Sequence, residues 1–148
     1  QILLKILPLD FNIKEVMFTF QKEVAERIIS KPNSKNYSRL SVITQSVCDI
    51  KKKQNLPAEI FYPIPKISST ILIFTRKNKY VINDFDSLKF LTKKAFNKRR
   101  KSIKNSLKDI KNISSFLKEL DIKDTLRPEQ ISVEEFCKLS NLIYKAKK

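Results

Sequence analysis

No glycine occurs anywhere in the 148 residues, and this absence limits the backbone more than any other feature of the chain. Average usage would supply about ten. Glycine enters the left-handed region without steric cost, so every turn of positive φ must fall here to Asn, Asp or a strained side chain. The same absence removes from these residues the glycine-rich loops that cradle phosphates and nucleotide cofactors, so they hold no Rossmann fingerprint or P-loop. Histidine is absent as well. That excludes Ser-His and Cys-His nucleophile pairs and the common zinc sites.

Hydrophobic residues make up 41% of the chain, enough for a buried core in one domain or two small ones. The 31 Lys and Arg outnumber the 15 Asp and Glu, for a net charge of +16. Clustered cations of this excess suit a polyanion, because binding releases counterions condensed on a phosphate backbone. An AT-rich genome also enriches Lys and depletes Gly, but it leaves the shortage of balancing acids unexplained. Cys48 and Cys137 lie far apart with no CxxC spacing, so they read as small apolar residues in a reducing compartment, with no disulfide. Ile2 to Leu9 is interrupted by Lys5 and Pro8, too short for a membrane span and without the basic leader of a signal peptide. A soluble cytoplasmic monomer without membrane or metal partners is expected. The chain opens on Gln1 inside an apolar helical pattern, so a fragment of a longer protein is expected.

Residues 1–78 alternate element types as α/β folds do. The pattern predicts a helix end at Ile2 to Leu7, a strand at Val16 to Phe20, a helix over Gln21 to Ser30 and another behind the cap Ser38. Ile50 to Gln54 reads as a strand. The prolines of Phe61-Tyr62-Pro63-Ile64-Pro65-Lys66 then make a stiff extended segment that cannot lie inside a central sheet. It leads into the strand Ile67 to Thr75. Residues 79–148 read as a helical bundle, with apolar faces at Phe85 to Ala95, at Ile103, Leu107 and Ile110, at Ile113 to Leu120, and behind the Ser132/Glu135 capping box. Both parts are basic: 13 basic and 6 acidic residues in the first, 18 and 9 in the second. The fold class is therefore α/β followed by all-α.

Three segments carry candidate chemistry. Arg99, Arg100, Lys101 and Lys104 cluster around a helix junction that Ile103 and Leu107 anchor, a candidate phosphate clamp; the alternative is a solvated helix face. Phe61, held by Pro63 and Pro65 ahead of Lys66, has the form of a ring that stacks on an extruded base, or of a core ring that staples a loop. Gln21, Lys22 and Glu23 stand at a strand-to-helix switch, where open α/β sheets place ligands and where a helix cap is equally at home.

Five segments in register resemble the KsgA-type ribosomal RNA adenine dimethyltransferases: Phe20-Gln21-Lys22-Glu23-Val24-Ala25, Tyr37-Ser38-Arg39-Leu40, Phe61-x-Pro63-x-Pro65-Lys66, Phe96-x-x-Arg99-Arg100-Lys101-x-Ile103-x-Asn105, and Arg127-Pro128-Glu129. The resemblance covers nearly the whole chain. It implies the C-terminal part of a Rossmann-like methyltransferase domain over 1–78 and a helical rRNA-binding domain over 79–148. It further implies transfer of methyl groups from S-adenosylmethionine to N6 of two adjacent adenosines near the 3′ end of small-subunit rRNA, within the immature small ribosomal subunit. The family's cofactor loop and Asn-Leu-Pro-Tyr motif belong upstream of Gln1, so no cofactor is expected on this chain alone and it is expected to be inactive. By position, Phe61 would stack on the target adenine, Pro63 and Pro65 would fix it, and Lys66 would reach a phosphate. Gln21, Lys22 and Glu23 would border the adenine pocket, and Arg99, Arg100, Lys101 and Lys104 would hold rRNA. Ser38 and Ser68 depart from residues often Gly and Asp in the family. The alternative is a non-catalytic rRNA-binding or ribosome-assembly module.

Overall fold

Strand alternation sets the floor of the molecule. In the computed structural model, which describes residues 2–98 and 100–146, β1 (Glu15–Gln21) turns Val16, Phe18 and Phe20 inward and leaves Glu15, Met17, Thr19 and Gln21 exposed. That is the period of two expected for one buried face. β2 (Cys48–Leu56) and β3 (Ser69–Arg76) complete a three-stranded sheet of order β1-β3-β2. Both pairings are antiparallel, with Phe18 opposite Leu72 and Ile50 opposite Phe74. Phe18, Phe20 and Phe74 meet at centroid separations of 5.9 to 6.1 Å, the tilted and edge-on geometry that aromatic quadrupoles favour. On the outer strand β2, Lys51, Lys52 and Lys53 are all exposed and the register slips between Lys52 and Gln54. Charges and a bulge on an outer strand discourage pairing with another chain.

α1 (Ile2–Ile6) stops short of Pro8, as a residue without an N–H and with a fixed φ requires. α2 (Lys22–Ile29) follows β1 directly, and its apolar face buries Ala25 and Ile28. α3 (Arg39–Val47) begins behind Ser38, whose N–H donates to Ser41 Oγ at 3.0 Å. α4 (Phe85–Phe96) is capped by the Asp84 carboxylate, which accepts from Ser87 N–H at 2.6 Å. α5 (Ile103–Ser106), α6 (Ile113–Glu119) and α7 (Val133–Lys145) complete the order. The Ser132/Glu135 box forms in both directions, at 2.7 and 3.2 Å.

Several expected boundaries move, and β2 runs two residues beyond the expected Ile50 to Gln54 at each end. Gln21 closes β1 instead of opening the helix. Ile67 lies outside β3, half exposed, and the strand starts at Ser69. The helix expected through Ile110 is a single turn, because Leu107 and Ile113 both enter the core and the chain reverses between them, through a turn closed by Ile110 N–H on Leu107 C=O. Positive φ occurs among the described residues at Asn33, Asn112 and Asp121, the two residue types that tolerate the left-handed region when glycine is absent.

One buried cluster runs through the molecule, from Ile28, Ile43, Leu72 and Phe74 on the sheet side to Leu88, Leu107, Phe136 and Leu139 among the helices. Tyr37 meets Phe96 at 6.2 Å and Phe96 meets Phe136 at 5.7 Å, so aromatic rings join the two sides.

Cys48 and Cys137 are buried free thiols. Burial, aided by the Glu134 carboxylate, pushes Cys137 up from 9.0 to about 12; burial and Asp49, opposed by Lys77, push Cys48 up to about 11. The folded state thus keeps thiol protons that the unfolded chain releases above about pH 9, so this stability is complete below about pH 9 and is lost as pH rises toward about 12. Urea midpoints followed by circular dichroism should fall through this alkaline window, and less steeply in Cys137→Ala, by up to about 1.4 kcal/mol per pH unit. Equal slopes in the two proteins would remove Cys137 from the linkage.

Candidate nucleic-acid interface

The antiparallel register brings two of the three sequence motifs to one end of the sheet. Ser69 opens β3 opposite Gln21 of β1 and Leu56 of β2, so the carboxyl ends of β1 and β2 lie beside the segment 57–68 that connects β2 to β3. Lys22 N–H donates to Ser68 C=O at 3.0 Å, tying the first residue of α2 to that segment. Gln21, Lys22 and Glu23 are exposed. Glu23 pairs with Arg27 one turn on, an exposed contact worth little stability that offsets its charge at the site. Ser68, at a position often Asp in the resembling family, acts here through its backbone carbonyl. Ser38, at a position often Gly, has φ −154°, extended backbone that any residue adopts.

Phe61 ends a one-turn 3-10 helix (Ala58–Ile60), its N–H donating to Ala58 C=O at 3.2 Å, and its side chain is half-buried. Pro65 is half-buried; Pro63 and Lys66 are exposed. Beside Phe61, the Tyr62 ring is 100% exposed, and Ile60, Ile64 and Ile67 are all more exposed than buried or nearly so. Sequence reasoning singles out Phe61 alone. An apolar run broken by two prolines is the available signal for the rest, since a chain so constrained cannot fold every ring inward. Such a segment offers aromatic and aliphatic surface at the strand ends, with Lys22 and Lys66 as cations on either side.

The third motif lies at the α4–α5 junction. Arg99 falls outside the described residues. Arg100 and Lys101 are exposed, and Lys101 N–H closes a turn onto Lys98 C=O at 2.9 Å. Ser102 Oγ accepts from Asn105 N–H at 3.3 Å, and Ile103 N–H donates to Leu126 C=O at 2.6 Å. Ile103 and Leu107 are fully buried, which anchors the basic turn to the core. Two adjoining clefts open on it, one of about 370 Å³ lined by Asn97, Lys98, Arg100 and Lys101, the other of about 250 Å³ lined by Lys98, Lys101, Asn105 and Lys108. Among the described residues no carboxylate lines either cleft, so the field inside is positive. Lys104 differs from its neighbours: its Nζ lies 2.9 Å from Asp124 Oδ2 across twenty residues of sequence.

Among the described residues no group of three or more His, Cys, Asp or Glu could hold a metal ion, and no helix is long and apolar enough to cross a membrane. Both thiols are buried with raised pKa values, so neither is an available nucleophile. What the arrangement offers is stacking surface, hydrogen-bonding groups at strand ends and a positive cleft.

Known proteins match this chain along its length. The sequence model for "Ribosomal RNA adenine dimethylase" matches residues 1–145. The ribosomal RNA small subunit methyltransferase A of Buchnera aphidicola from Acyrthosiphon pisum is 42% identical over 135 residues, 90% of this chain and 49% of that protein. The same-named protein of Ehrlichia ruminantium is 42% identical over 84% of this chain and 48% of its own length. The chain spans about half the length of these curated relatives. A dimethyladenosine transferase from Plasmodium falciparum superposes with TM-score 0.83 at 24% identity, over 98% of this chain and 62% of that one. The 23S rRNA methyltransferase ErmE follows at TM-score 0.59 and 17% identity, over 90% of this chain and 56% of that one. These two likenesses are of fold, an α/β part with added helices. With the family's sequence pattern running from residue 1 to residue 145, the chain belongs to the ribosomal RNA adenine dimethylase family.

Proposed function

We propose that this chain is the target-base and rRNA-binding part of an enzyme that dimethylates N6 of two adjacent adenosines near the 3′ end of small-subunit rRNA during ribosome assembly, in the cytoplasm and as a monomer. Residues 1–78 are assigned to the C-terminal half of a Rossmann-like methyltransferase domain and 79–148 to a helical rRNA-binding domain. The observation that carries this reading is the Lys22 N–H to Ser68 C=O hydrogen bond, which joins two of the family's motifs at the strand ends where α/β sheets bind ligands.

In this reading Phe61 stacks on the extruded adenine while Pro63 and Pro65 stiffen its support. Lys66 holds a flanking phosphate, and Gln21, Lys22 and Glu23 border the base. S-adenosylmethionine supplies the electrophilic methyl group. These residues do not themselves fit that cofactor: with no glycine they offer no backbone turn for close approach to a nucleoside, so the cofactor contacts are assigned to the rest of the full-length enzyme and the chain alone is inactive. What the protein must do to the adenine is fix its amino nitrogen in line with the methyl carbon, a positioning task that needs no histidine. The positive clefts beside Arg100 and Lys101 grip the phosphate backbone by shape and charge.

A second reading draws on the half-burial of Phe61 at the end of its 3-10 turn: a structural ring in a non-catalytic assembly module. Methyl transfer from labelled S-adenosylmethionine to immature small subunits by the full-length protein separates the two. Phe61→Ala should lower turnover about 10- to 100-fold with folding and RNA affinity kept, in line with removal of a stacking ring; undiminished turnover would favour the module. For the basic turn, Arg100→Ala with Lys101→Ala should flatten the log-log salt dependence of rRNA binding by about two units, one for each phosphate no longer neutralised. A slope that stays put would make the cluster a solvated face.

A further inference from the structure

A cavity of about 190 Å³ opens between α4, α6, α7 and the turn that precedes α6, lined among others by Phe90, Lys94, Asp109, Lys111, Asn112 and Phe116. Its lining combines the Phe90 and Phe116 rings and the aliphatic Ile110 and Ile143 with the polar Lys94, Asp109, Lys111 and Asn112. Phe90 is 44% exposed. Lys94 Nζ stands 5.3 Å from the centroid of that ring and 3.8 Å from Asp109 Oδ2. The second distance exceeds that of a hydrogen bond, so ammonium and carboxylate each retain capacity for a further polar partner. Asn112, in the left-handed region, makes no side-chain cap on the helix it precedes and lines the cavity.

We infer that this cavity receives one base of a single-stranded stretch of RNA, outside the adenine site, with Phe90 against the base and Asp109 and Asn112 on its hydrogen-bonding edge. The inference rests on the rRNA-binding reading above. A volume of roughly 150 Å³ accommodates one benzene-sized ring, so the space suits a single planar heterocycle. An aliphatic side chain would fill the apolar part of the lining but make no hydrogen bond with Asp109 or Asn112. The charge favours the same occupant: exposed Lys111 lines the cavity, exposed Lys93 and Lys108 adjoin its lining residues Lys94 and Asp109 in sequence, and the backbone of an RNA strand brings phosphates to either side of each base. Aromatic rings interleaved with cations are how proteins hold single strands. The cavity therefore adds to the positive clefts at Lys98 and Lys101 a contact that senses bases.

The test uses the full-length protein with a fluorescein-labelled single-stranded RNA 12-mer and a matched 12-mer of abasic ribose phosphates, equal in length and charge. The wild type should bind the base-bearing strand more tightly. Phe90→Ala should weaken that strand between about 5-fold and about 150-fold while leaving the abasic strand and the salt slope unchanged. Phe90→Tyr should restore binding, and Asn112→Ala, with the fold checked by circular dichroism, should weaken the base-bearing strand alone. Binding of both strands with no selective loss in Phe90→Ala and Asn112→Ala would overturn the base site, leave the RNA reading intact and point to an apolar protein side chain as the occupant. Failure of the wild type to bind either strand would overturn both.

Discussion

β3 is the last strand in the sequence and the middle one in the sheet, and the position of the strand-end motifs depends on that pairing. Its β-branched and aromatic residues face β1 on one side and β2 on the other, so one register fixes three strand ends together. A slip of one residue would exchange Leu72 and Phe74 for Ile71 and Ile73 on the core face. It would also carry Ser69 away from Gln21 and break the reach of Lys22 N–H to Ser68. The strand-end motifs are thus held by packing as well as by their own hydrogen bond. The hydrophobic face of β3 thus positions the motifs at the strand ends.

The basic turn is held in a comparable way by the core. Charge repulsion among Lys98, Arg100 and Lys101 opposes their crowding, and the turn persists because Ile103 and Leu107 lie fully buried on its C-terminal side. Tyr37, Phe96 and Phe136 link that region to the start of α3 and to α7. The same buried cluster thus anchors the basic turn and the sheet that carries the strand-end motifs.

Local signals in the sequence carry far. The alternation in β1, the cap at Ser38 and the Ser132/Glu135 box each depend on residues within a few positions of one another, and all three form. The short α5 is not legible, because the reversal between Leu107 and Ile113 is set by where the core lies. The same holds for Lys104, whose partner Asp124 is remote in sequence. That Gln21 neighbours Ser69 is a consequence of strand pairing, which no local pattern encodes. Tyr62 escapes a sequence reading because an aromatic residue looks interior until the surrounding prolines are counted against it.

Asn33, Asn112 and Asp121 show where a glycine-free chain bends, and the cost of those bends is offset in the unfolded state. A residue with a β-carbon samples fewer backbone conformations than glycine, and at positions it can occupy without strain the difference stabilises the fold by about 0.4 to 1 kcal/mol each. With no glycine at any of its 148 positions, the disordered chain has less freedom to lose on folding. A protein with a crowded positive surface thereby begins from a narrower ensemble, and part of its resistance to self-repulsion resides in the state that carries no structure at all.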